Sequence, residues 1–178
     1  MTVRHARSAN LPDIPMITGL AHLAIRTNDL AASLAFYGGL LGLRQSQRPV
    51  TGYSGAWLSV QLSGKPTILH LYAGGPEMGA AGRAPLGAGA IDHLALSASG
   101  FHAYRERFRA AGLPWREHLT PASQIWSLFT YDPSGVLVEL LFDGRGEPGA
   151  PPDPALAYQP GRSFFDAPRY PRLAAQPG

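Results

Sequence analysis

Between residues 18 and 143 the chain switches repeatedly between two hydrophobic rhythms. "LAHLAI" (20–25) alternates as a half-buried strand does and is bounded by Asn28 and Asp29, both good helix N-cap residues. "AASLAFYGGLL" (31–41) repeats apolar residues at helical spacing and stops at the glycines around 38–42. A polar strand, "LRQSQRPV" (43–50), follows. "GAWLSVQL" (55–62) alternates again, with Ala56, Leu58, Val60 and Leu62 on one face and Trp57, Ser59 and Gln61 on the other. "SGKP" reads as a turn and "TILHLYA" (67–73) as the returning strand. The same order then recurs. "IDHLALS" (91–97) precedes a helix over about 100–111, a short strand at "PWREH", the strand "QIWSLFTY", the turn "DPSG" and the strand "VLVELLF".

Two landmarks make this a duplication. His22 and His93 are offset by 71 residues, and that offset aligns the helices, with Gly42 facing Gly112 after a one-residue gap. Trp57 to His70 spans 13 residues, as does Trp126 to Glu139. The expected fold class is therefore α+β: two paired βαβββ modules, at 18–73 and 90–143, forming one curved, mixed β-sheet. An N-terminal extension (1–17), a glycine-rich linker (74–89) and a tail (144–178) complete the chain. The tail holds eight of the 17 prolines, so it cannot be helix interior or central strand. Its aromatics Tyr158, Phe164, Phe165 and Tyr170 imply docking, on this chain or on a neighbouring subunit.

Four strands carry a polar residue where the apolar rhythm has no place for one: His22, His70, His93 and Glu139. These are the first and last strands of each copy. By strand parity His22 shares a face with Leu20 and Ala24, His70 with Ile68 and Tyr72, and Glu139 with Leu137 and Leu141. A lone histidine in such a strand is ordinarily a satisfied core residue, and a lone glutamate can sit on a wet edge. Their joint placement at equivalent points of a repeat argues otherwise. A carboxylate left unpaired there would cost several kcal/mol, on the order of 3–5. A cation removes that cost and suits neutral imidazole plus carboxylate. Three imidazoles and one carboxylate fit one divalent ion: Zn, Ni, Co, Mn or Fe(II). His70 is the most dispensable, because two histidines and a carboxylate already make a workable open site.

The pattern "HLAI…NDL…S…FY…LGL", then "W…LHL", "DHLAL" and "DPSGVLVEL", resembles the vicinal oxygen chelate superfamily over about residues 18–143. That group includes glyoxalase I, methylmalonyl-CoA epimerase, fosfomycin-resistance enzymes, extradiol dioxygenases and bleomycin-binding proteins. The resemblance implies a half-barrel around a divalent ion, with ligands at His22, His70, His93 and Glu139. Where members often carry glutamate or glutamine at the second of these four positions, this chain carries His70. The chemistry implied is stabilisation of an enolate, oxyanion or peroxide on a small oxygen-chelating substrate.

Glyoxalase-type proton transfer, as a lyase or isomerase, would use Glu139 as the base. Trp57 and Trp126 could flank a planar ligand, and Arg44 and Arg48 could bind an anionic one. The alternatives are ring cleavage of a catechol with Fe(II) and binding without turnover, as in bleomycin resistance. Against ring cleavage, the expected tyrosine position is Phe129, and the histidine window holds Thr120, Pro121 and Ala122, with His118 out of register.

Composition narrows the setting. Apolar residues are 45% and charged ones 15%, enough for a real core. The net charge of +3 comes from scattered arginines, with Lys65 the only lysine, so no nucleic-acid footprint is expected. There is no cysteine, which excludes disulfides, thiolate ligands and a cysteine nucleophile. No apolar run is long enough for a membrane span, and residues 1–17 lack a signal-peptide core. A cytoplasmic homodimer acting on a small molecule is the expectation.

Overall fold

The computed structural model describes residues 21–50, 52–59, 68–75, 78 and 81–173. The expectations for residues 1–17 and for the turn at 63–66 lie outside them. In the first module, β1 (Leu23–Arg26) leads into α1 (Leu30–Leu34), which continues as a π-helical turn over Ala35–Leu40. The strands β2 (Arg44–Ser46), β3 (Gly55–Ser59) and β4 (Leu69–Tyr72) follow. The second module repeats this as β5 (His93–Ser97), α2 (Phe101–Ala110), β6 (Trp115–Thr120), β7 (Ile125–Tyr131) and β8 (Leu137–Asp143). Both are βαβββ units, as expected. Each forms a four-stranded mixed sheet, in the orders β1-β4-β3-β2 and β5-β8-β7-β6, with the first and last strands parallel. The halves are two sheets rather than one continuous ladder.

Local chemistry sets the helix ends. Asp29 caps α1 by accepting a hydrogen bond from Ala32 N at 2.9 Å. The π-helical turn buries the consecutive rings of Phe36 and Tyr37, and the chain leaves it through Gly42 at φ +79°. α2 starts at Gly100, which has no side chain to cap with. Its N-terminal N–H groups, on Gly100 and Phe101, donate to the Glu147 carboxylate at 2.8 and 2.7 Å.

Strand alternation then divides each sheet into two faces. Ile25, Ala56, Leu58, Leu69 and Leu71 point inward from the first sheet, and Leu128, Val138, Leu140 and Phe142 from the second. Phe36, Tyr37, Phe101 and Phe108 from the helices pack with them, making one core shared by both modules. Each fully buried Leu or Phe contributes roughly 1.5–3 kcal/mol. Polar ties join the same elements: Tyr104 Oη donates to Leu41 O at 2.9 Å and Arg107 Nη1 to Leu40 O at 3.0 Å. Tyr37 Oη donates to Asp132 Oδ2 at 3.0 Å, so the "FYGG" and "DPSG" pieces of the pattern meet. The helices of the two modules thus pack against each other on the core side, and the second face of each sheet is turned away from the common core.

The tail docks on its own chain. Ala157 forms a bridge with Glu117, and Tyr158 N donates to Glu117 O at 2.8 Å. The buried Glu117 carboxylate accepts from Trp115 Nε1 (2.9 Å) and Asp153 N (2.7 Å), and pairs with Arg105 Nε at 2.9 Å. Gly135, at φ +79°, lets Phe165 close on the "DPSG" turn, because a Cβ there would meet that ring at 2.9 Å. No helix among the described residues is long and apolar enough to cross a membrane.

Candidate metal site

The four polar intruders arrive on the outward faces, in the same register in both modules. Ala24 pairs with His70 and Ala95 pairs with Glu139, so His22 and His93 each sit two residues before the strand partner of the second group. The structure brings them together as two pairs. His22 and His70 stack with ring centroids 4.0 Å apart and 13° between planes. His93 Nε2 lies 3.0 Å from Glu139 Oε2. Among the described residues, no three histidine, aspartate or glutamate side chains gather into a metal-holding group. Each pair lies on the face of its own sheet opposite the core residues.

Each pair has donor chemistry suited to a cation. His70 is only 7% exposed, sandwiched between His22 and Trp57, whose ring centroid is 4.4 Å away. Burial, then the neighbouring His22 and Arg48, lower its pKa, favouring the neutral, ligating form. Its Nδ1 is hydrogen-bonded to Tyr72 Oη at 3.2 Å, which leaves Nε2 as the nitrogen for a ligand. In the second pair Asp92 Oδ1 holds His93 Nδ1 at 2.7 Å. A proton on Nδ1 then leaves the Nε2 lone pair facing a carboxylate oxygen. Two acceptors at that distance repel unless a second proton or a metal ion lies between them. A carboxylate behind a ligating imidazole is also the usual support of a metal-bound histidine. The donor set fits a divalent ion, with two imidazoles on one face and an imidazole plus a carboxylate on the other.

The pocket expectations divide. Trp57 pairs with His70 across β3 and β4 and lies on the outward face beside the pair. Arg44 is exposed at the sheet edge on that same face, paired with Ser59. Trp126 is a correction: it is buried against Phe101 on the core face of β7, opposite Glu139. Its partner on β8 is Phe142, and the residue facing Glu139 is Phe129. Thirteen residues separate Trp57 from His70 but ten separate Phe129 from Glu139, because the hairpin connections differ in length. Asp92 was not singled out from sequence, Tyr72 was named only as sharing a face with His70, and Tyr158 only as a docking aromatic of the tail. Asp92 had a signal, an acid directly before a candidate ligand; Tyr158 reaches the site only through tertiary docking.

The sequence matches the Glyoxalase/Bleomycin resistance protein/Dioxygenase superfamily over residues 19–140, well over half of the chain. This chain belongs to that superfamily. Solved structures similar to this superfamily member carry differing activities in their names. Lactoylglutathione lyase from Agrobacterium tumefaciens is 23% identical, with 73% of this chain and 97% of that chain covered and a TM-score of 0.52. The fosfomycin resistance protein FosX from Listeria monocytogenes is 19% identical, with 71% and 94% covered and a TM-score of 0.52. The antibiotic-binding protein TnmS3 from Streptomyces sp. CB03234 is 17% identical, with 72% and 98% covered and a TM-score of 0.54. At these identities the likeness establishes the shared fold. No curated protein matches the sequence.

Proposed function

We propose that this protein is a divalent-metal-dependent enzyme of the glyoxalase type, moving a proton on a small oxygen-chelating substrate. The observation that carries the reading is the pair of equivalent half-sites, His22 with His70 and His93 with Glu139, set on outward faces in identical register. A twofold dimer unites them by laying the β5–β8 face of one copy over the β1–β4 face of the other. An ion held between them would supply Lewis-acid stabilisation of charge developing on substrate oxygens. Glu139 Oε2, 13% exposed and faced by one imidazole, takes and returns the substrate proton as general base. Asp92 fixes the His93 ring, and the apolar neighbours Leu137 and Phe129 exclude water around the carboxylate.

Ring cleavage of a catechol is the second reading, on one observation: the phenol missing at Phe129 is supplied by Tyr158, stacked on that ring at 3.9 Å. Metal analysis after chelator-free purification separates the readings. Retained Zn, Ni, Co or Mn supports proton transfer. Iron together with a yellow ring-fission product from catechol under air overturns it in favour of the dioxygenase. Protein that retains no divalent ion, and in which every ligand substitution is silent, overturns both.

A further inference from the structure

The tail does more than cover a surface. Tyr158 lies flat on Phe129, with ring centroids 3.9 Å apart and 12° between planes. Phe129 is the cross-strand neighbour of Glu139 and meets the His93 ring edge-on at 6.1 Å. Beyond Tyr158 the chain turns through Gly161, and Ser163 Oγ hydrogen-bonds Tyr131 Oη at 3.1 Å. Between this turn and the sheet is a cavity of about 340 Å³, walled in part by Asp92, Tyr131, Tyr158, Arg162 and Ser163. That volume suits a small molecule. The wall joins the half-site, since Asp92 binds His93 directly. The wall carries one acidic and one basic side chain. Asp92 is engaged by the imidazole, whereas the side-chain partner of Arg162 is the neutral Gln159 Oε1, at 3.1 Å. Among the described residues no carboxylate pairs with that guanidinium.

We infer that residues 158–163 build the substrate pocket of this protein, with Arg162 binding the anionic end of a small organic acid and the Tyr158 hydroxyl fixing an adjacent oxygen. The inference rests on the reading that His93 and Glu139 belong to the reaction centre. Guanidinium recognises carboxylate by paired, charge-assisted hydrogen bonds that a neutral amide does not reproduce. Mandelate, with a carboxylate, a neighbouring hydroxyl and a ring, is the probe, and mandelamide is its neutral counterpart. Calorimetric titration of the full chain, with and without Ni(II), gives the test. The wild type binds mandelate about tenfold or more tightly than mandelamide. Arg162→Gln erases that preference, and Tyr158→Phe, which keeps the stack on Phe129, weakens both ligands about threefold or more. If the Arg162-dependent preference persists and Ni(II) has no effect, the pocket stands and the metal reading falls. If binding requires Ni(II) but ignores Arg162→Gln, the metal reading stands and the pocket falls. A wild type that shows no preference, or no binding at millimolar mandelate, overturns the assignment.

Discussion

Asp132 offers the sharpest test of the packing logic, because its carboxyl joins the two modules while buried. It is 0% exposed; Oδ1 accepts from Ser134 N and Val136 N, both at 2.8 Å, and Oδ2 accepts from Tyr37 Oη at 3.0 Å. Burial raises its pKa from 3.8 to about 6, and those hydrogen bonds only partly oppose the rise. The folded pKa lies above the unfolded one, so the folded chain holds this proton more tightly. The stability gained is fully present below about pH 4 and is lost as pH rises through about 6. Roughly two units at 1.36 kcal/mol each give about 3 kcal/mol. Asp132→Asn has no titration there. Its amide oxygen still accepts the two backbone N–H groups, while rearranging the Tyr37 hydroxyl costs about 1 kcal/mol. Urea unfolding of both proteins from pH 4 to pH 8 should therefore show the variant gaining about 3 kcal/mol on the wild type, starting slightly less stable and ending more stable. Groups common to both proteins cancel in that difference. A difference that stays flat across the range would refute the argument that burial governs this carboxyl.

Three further outcomes follow from other contacts of the fold. Glu117→Ala removes a buried carboxylate, stranding Trp115 Nε1, Asp153 N and Arg105 together, and should destabilise the protein by about 3–5 kcal/mol in urea unfolding. Limited proteolysis of that variant should cut between residues 145 and 165 before the sheets are attacked. Asp92→Asn loses the carboxylate behind His93 without touching the core and should weaken Ni(II) or Zn(II) binding by about 10–100-fold in titration calorimetry, with unfolding unchanged.

The doubled βαβββ plan was legible because both rhythms repeat and because His22 and His93 mark the same point of each copy. The register confirms this in detail: the Ala24–His70 and Ala95–Glu139 pairs are equivalent. The tryptophan spacing misled, since equal counts along the chain place equal residues across a hairpin only when the loops match in length. Trp126 therefore went to the core and Phe129 took the place beside Glu139. Alternation shows that a strand has two faces, but which faces share a core depends on how the modules dock. That docking runs through contacts such as Tyr37–Asp132 and Tyr104–Leu41, far apart in order. For the same reason the tail's aromatics signalled attachment without naming Phe129 or Tyr131 as the surface.

Complementation between two inactive halves tests the central claim most directly. The double variant His22→Ala/His70→Ala keeps only the second half-site, and His93→Ala/Glu139→Gln keeps only the first. Each alone should retain essentially no divalent metal after chelator-free purification. Co-expressed, they form mixed dimers in which one of the two sites is wholly intact, so metal content should recover to about a quarter of the wild-type value. A mixture no better than its parents, or a double variant that holds its metal unaided, would contradict a site assembled from both faces of two copies.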